Sequence, residues 1–105
     1  MSGAPWPVYQ VLLHRAGPGW QPGVGFREQP GVGLHIGFMR ELAEEGVLVL
    51  GGPFLDEAGE GGLVGMAVVD LGGLEQAAAR AHADPSLAAG LLAVEVRPWA
   101  VPMQR

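Results

Sequence analysis

Four short apolar, β-prone runs are interleaved with two stretches of helical spacing, and this order constrains the fold more than any other feature of the chain. Val8–His14 follows Pro7 and reads as the first strand. From Gly33 to Glu45, Leu34, Phe38 and Leu42, with Met39 and Ala43, fall at helical intervals, and Gly46 supplies a stop. Val47–Leu50 reads as a second strand ending in a turn at Gly51-Gly52-Pro53. Asp56–Gly62 is a polar, glycine-rich hairpin connection, and Leu63–Val69 forms the third strand. A second helix runs from Leu74 to about Ala83 and ends at Asp84-Pro85. Leu91–Arg97 is the fourth strand, closed by Pro98. The order β-α-β-β-α-β predicts an α+β, ferredoxin-like domain with an antiparallel sheet.

At 105 residues and 49% hydrophobic content, the chain has material for one domain, spanning 1–105, with one modest core. The Gly- and Pro-rich stretch from Gly17 towards Pro30 is long for a compact domain and is expected to be a lid or a poorly ordered excursion.

Both faces of the predicted strands are apolar. Tyr9, Val11 and Leu13 point one way while Val8 and Leu12 point the other; Val64, Met66 and Val68 oppose Leu63, Ala67 and Val69. Two helices cover one face only. The second face is expected to meet a copy of itself, giving a homodimer through the sheet faces.

Composition excludes several function classes. The formal charge is −5 and all six basic residues are scattered arginines, so nucleic-acid binding is not expected. The absence of lysine removes Schiff-base chemistry and a Walker-type phosphate loop. The absence of cysteine removes disulfides, thiolate nucleophiles and cysteine–zinc sites. No apolar run approaches the roughly 18 residues needed to span a membrane, and Met1–Pro5 lacks a signal-peptide pattern. A cytoplasmic location is the expectation.

Strand and helix directions place the chemistry. With the first strand running up, His14, His35, Gly52-Pro53-Phe54, His82 and Asp84 all arrive at the upper edge of the sheet. His35, on the apolar side of the first helix, reads either as a general base or acid or as a core histidine bonded to backbone. Asp84 reads as an N-cap before Pro85, and its second oxygen is free to orient an imidazole. Gly52, Pro53 and Phe54, with His14, are candidate ligand-binding residues. His82 suits a solvated helix end. The spacing carries no His-x-x-x-His or Glu-x-x-His pair, so no metal is expected. Gly31–Gly37 has a third glycine one position late for a dinucleotide fingerprint and follows a loop rather than a strand.

From His35 to Trp99 the chain resembles the YCII-related family. The resemblance rests on His35, Leu42-Ala43-Glu44-Glu45-Gly46-Val47-Leu48, Gly52-Pro53-Phe54, Gly65-Met66, the alanine-rich second helix, Asp84-Pro85 and Val94–Trp99. It implies a dimeric α/β-barrel arrangement and a His–Asp active site at His35 and Asp84. It also implies cofactor-free chemistry of the kind chloromuconolactone dehalogenases perform, eliminating chloride from a lactone. The chain departs from the family pattern at Val32, where an arginine often stands near this place, and at Ser86, where an aromatic often follows Asp-Pro. Both departures bear on the substrate rather than the fold. The expected function is therefore a cofactor-independent lyase or isomerase working on a small organic acid or lactone. The competing readings are a non-catalytic dimeric module that binds a small metabolite and a ligand-free accessory protein.

Overall fold

The computed structural model describes residues 5–56 and 62–105. Its elements are β1 (Val8–Ala16), a 3-10 turn (Phe26–Glu28), α1 (Val32–Glu44), β2 (Leu48–Pro53), β3 (Leu63–Val69), α2 (Leu74–Ala81), α3 (Pro85–Ala88) and β4 (Leu92–Ala100). The sheet order is β2-β3-β1-β4. Every neighbouring pair is antiparallel. The chain is thus an α+β protein of the ferredoxin-like plan. Most of the expected connection at 56–62 lies outside the described residues.

Local chemistry sets the ends of α1. Gly31 enters it at φ 84° and Gly46 leaves it at φ 78°, conformations that cost glycine little. At the C-terminus the Gly46 N–H donates to Ala43 O and the Val47 N–H to Leu42 O, a Schellman closure, and Val47 packs against the cluster that contains Leu42. The buried face of α1 is Val32, His35, Phe38 and Leu42. α2 buries only Ala77 and Ala81, whose small side chains let that helix lie close to the sheet.

The main core joins Leu12, Ala67 and Val69 of the sheet to Phe38, Leu42, Ala77 and Ala81 of the helices. Gln10 shares this buried face of β1, and its Oε1 accepts from the Leu71 N–H at 2.8 Å. A smaller cluster of Val32, Val64, Leu91 and Leu92 closes the upper end. Val64 reaches it at an irregularity in the β1–β3 register, where His14 pairs with Gly65 and Arg15 with Leu63.

Three expectations about boundaries are corrected. Gly51-Gly52-Pro53 is strand, not turn: Gly51, Gly52 and Pro53 pair with Ala67, Met66 and Gly65. β4 begins at Leu92 and does not close at Pro98, which pairs with Gln10 while the strand continues to Ala100. β2 and β4 are the outer strands, where a proline's missing N–H can face the open edge without breaking the ladder. The 17–30 stretch is a pinned loop rather than an excursion. Buried Gln29 donates to Gln21 O and Val24 O and accepts from the Gln21 N–H, each at 2.8 Å. The Gly17 and Gly19 N–H groups donate to Leu91 O and Gly90 O.

Among the described residues, no helix covers the sheet face that carries Val11, Leu13, Met66, Val68 and Leu50. No helix of the described chain is long and apolar enough to cross a membrane.

Candidate active site

Three elements deliver the polar residues of the upper edge. Strand alternation puts His14 on the same side as Leu12 and Gln10, but near the end of β1, past the apolar core. It pairs there with Gly65 on β3 and Val94 on β4. His35 occupies the first helical turn of α1, on the face that also carries Phe38 and Leu42. Asp84 caps α3, with Pro85 at its first position, and its Oδ1 accepts from the Ser86 N–H at 2.9 Å. The other carboxylate oxygen lies 2.6 Å from His35 Nδ1. Capping and histidine orientation therefore coexist in one side chain.

His14, His35 and Asp84 are all buried. The His14 and His35 rings meet edge to face with centroids 4.6 Å apart. Phe26, from the pinned loop, packs against the far side of His35 at 5.9 Å. Burial alone would push the Asp84 carboxyl up. The hydrogen bonds from His35 and the Ser86 backbone, helped by the Ser86 hydroxyl dipole, outweigh it and hold Asp84 below the ordinary carboxyl value. An ionised carboxylate only accepts, so the proton of neutral His35 sits on Nδ1 and Nε2 carries the free lone pair. His14 is held down to about 4, first by desolvation and then by the neighbouring His35, with Asp84 opposing. Its Nε2 is buried without a hydrogen-bond partner, as is Ser86 Oγ.

Beside the two imidazoles lies a mostly apolar hollow of about 190 Å³. His14 and His35 line it together with Gly52, Pro53 and Gly65, and Phe26, Ile36 and Met39 supply apolar walls. The absence of side chains matters: a Cβ on Gly51 would stand 3.1 Å from Met39 Cε and Ala67 Cβ, and one on Gly65 would stand 2.9 Å from Gly52 O.

Of the residues singled out in the sequence, His35, Asp84, His14, Gly52 and Pro53 converge. Phe54 does not line the hollow; it is partly exposed and its N–H donates to Val64 O just beyond the end of β2. His82 is exposed, with Nδ1 at 2.8 Å from Ala78 O. Phe26, Ile36, Met39 and Gly65 escaped the sequence reading as site residues. An aromatic embedded in an otherwise Gly- and Pro-rich loop was the one available signal for Phe26.

One ligating atom each from His14, His35 and Asp84 lies within 4.8 Å of the others, near enough to converge on a cation. Asp84 Oδ2 and His35 Nδ1 already engage each other, however, which leaves His35 Nε2 and the His14 ring as the uncommitted donors. A buried His–Asp pair with a free Nε2 beside a cavity is equipped to move a proton.

The model of the YCII-related domain matches residues 12–100. No curated protein matches the chain. Among solved structures, the 5-chloro-2-hydroxyhydroquinone dehydrochlorinase TftG from Burkholderia phenoliruptrix AC1100, in complex with 2,5-dihydroxybenzoquinone, is similar with a TM-score of 0.59. The sequences are 19% identical, and the match covers 86% of this chain and 92% of that one. At such identity the likeness concerns the fold.

Proposed function

Since the chain belongs to the YCII-related family, we propose that it is a cofactor-independent lyase or isomerase that moves a proton on a small cyclic molecule held in the hollow. The observation that carries this reading is the buried 2.6 Å contact between His35 Nδ1 and Asp84 Oδ2. Asp84 holds the imidazole in one tautomer and stabilises its protonated form, and His35 Nε2 is the base. In an elimination the substrate C–H bond breaks and its proton passes to Nε2. The electron pair forms the new double bond, chloride departs with the pair of the C–Cl bond, and the imidazolium returns its proton to water. The similar dehydrochlorinase with a ring-shaped ligand makes chlorinated hydroxyquinols and chlorinated lactones the compounds to try first.

Chloride release from such a panel tests the reading. The wild type is expected to turn over at least one member, and His35→Gln to lower its kcat by about 10²–10⁴-fold, the usual worth of a positioned acid–base group. Equal rates in the two proteins would sink the assignment. Binding in both with turnover in neither would favour a non-catalytic module.

The proposed assembly is a homodimer through the helix-free sheet face. Leu50 is 62% exposed there and Trp99 47%. With the half-buried Leu13 and Met66 they make an apolar surface of the kind that monomers rarely leave in water. Light scattering is expected to give twice the 10.9 kDa chain mass. Leu50→Arg, placing a charge in that interface, is expected to shift the protein towards the monomer mass. A wild-type mass of one chain would end this part of the proposal.

A further inference from the structure

We propose that the two copies of the dimer meet about a two-fold axis lying along the row Val96, Leu12, Ala67 and Gly51, so that Arg97 of each copy pairs with Glu95 of the other. This rests on the sheet-face dimer of the preceding section and adds its orientation and register.

The four strands carry three charged side chains, Arg15, Glu95 and Arg97. Alternation along β4, and the pairing of Arg15 with Ala93, put all three on the helix-free face. Arg15 donates to Glu95 Oε1 at 3.3 Å. Glu95 Oε2 stays available, and Arg97 has no ion-pair partner among the described residues. A guanidinium covered by apolar surface without a counter-charge loses its hydration and gains nothing in return. A cover for this face therefore has to bring a carboxylate to Arg97. A second copy brings Glu95. Because a two-fold interface makes each contact twice, both arginines are matched at once.

That requirement sets how the copies face each other. An axis parallel to the strands lays β4 over the partner's β2. Arg97 shares a cross-strand row with Leu50, and Glu95 shares one with Gly52, so each charge would lie on an apolar or bare position. An axis across the strands instead lays β4 antiparallel on the partner's β4. Running along the row Val96, Leu12, Ala67 and Gly51, it brings position 95 opposite position 97. Moved by one residue either way, it sets Arg97 on Arg97 or Glu95 on Glu95. The same axis matches sizes as well as charges. It places Leu50 over the partner's Gly52 and Trp99 over the partner's Ala93, a large side chain on a bare or small one each time. Stacked sheets cross at about 30°, an offset that long arginine and glutamate side chains span. Arg97 and Trp99 border a hollow of about 310 Å³ on this face, which leaves space for the incoming side chains. Trp99, 47% exposed in the single chain, gains cover on the back of the strand ends where His14 pairs with Val94.

Sedimentation equilibrium on the full-length protein gives the dimer Kd. Arg97→Glu is expected to raise it at least about tenfold, by setting carboxylates against each other across the axis. Glu95→Arg should weaken the dimer likewise. The double exchange is expected to recover most of the loss, so that the two effects do not add. Both side chains are exposed in the single chain, so these exchanges leave its fold intact. The chain has no cysteine, so introduced thiols read the arrangement without background. A mixture of Glu95→Cys and Arg97→Cys chains is expected to cross-link with a short bismaleimide, whereas Arg97→Cys mixed with Leu50→Cys is not. A wild type of two-chain mass whose charge effects simply add, or which links position 97 to position 50, would overturn this register and leave the dimer standing. A wild type of one-chain mass would overturn the dimer reading and the register with it.

Discussion

Asp84→Ala is expected to lower the unfolding free energy by about 2–4 kcal/mol, whereas Asp84→Asn costs little stability and disables the site. The two substitutions separate the two jobs of one carboxylate. Alanine removes the N-cap of α3, worth about 0.5–2 kcal/mol, and strands His35 Nδ1 in a buried position without its acceptor. A buried donor left without its acceptor typically costs about 1–3 kcal/mol. Asparagine keeps an oxygen for the Ser86 N–H and is as good a cap as aspartate. Its amide nitrogen, turned towards His35, is a donor, so Nδ1 becomes the acceptor and the proton moves to Nε2. The base then has its lone pair on the wrong nitrogen. Loss of the correct tautomer costs about 10⁴-fold in a Ser-His-Asp triad, and a loss of about 10³–10⁴-fold in kcat is expected here. Nitrogen-15 chemical shifts of the His35 ring report the tautomer directly, independently of any substrate. An Nδ1-protonated ring in Asp84→Asn would contradict the argument, and so would a fully active variant. Urea unfolding of the alanine variant within 1 kcal/mol of wild type, on the scale where surface changes fall at about 0.5 kcal/mol, would show that the buried contact contributes little.

How far the sequence discloses this site depends on whether a feature is local or set by topology. The β-α-β-β-α-β order is legible because the hydrophobic period changes where elements change, and because Gly46 and Asp84-Pro85 carry their own stop and start signals. That order in turn predicts the shared edge of His14, His35 and Asp84, and Asp84 as a cap is readable from Pro85 alone. Strand ends are another matter. Glycine and proline at 51–53 and at 98 look like terminators, yet both segments are edge strands that tolerate them. Edge status follows from the whole sheet and leaves no local mark. Phe54 stands outside the lining of the hollow for the same reason, since β2 runs on to Pro53. The loop at 17–30 is ordered by three hydrogen bonds of one glutamine to residues five and eight positions away. Nothing in its glycines and prolines announces that closure, so Phe26 could not be assigned to the wall beside His35.

Acidification from pH 6.5 to 4 is expected to remove about 3 kcal/mol of stability through His14 alone. Its ordinary value is 6.5 and the folded protein holds it at about 4, with burial as the main cause. The folded state therefore refuses a proton that the unfolded chain accepts readily. Between those two pH values the unfolded state binds more protons, so stability rises with pH and falls on acidification. At about 1.36 kcal/mol for each pH unit of the gap, the loss comes to about 3 kcal/mol, a large share of the roughly 5–15 kcal/mol that holds a domain together. Below pH 4 the folded protein takes the proton too and this contribution levels off. Asp84 then adds a loss of the same sign. Its folded value lies below the ordinary 3.8, so its contribution is intact above that value and fades as the carboxylate protonates on further acidification. His14→Gln removes the titrating group while keeping a polar side chain of similar reach. Its unfolding free energy should change much less than the wild type's between pH 6.5 and 4. Urea denaturation of both proteins, at one concentration so that association does not shift the midpoints, measures the difference. A flat wild-type curve across that window would mean that His14 takes up its proton in the folded state as easily as in water.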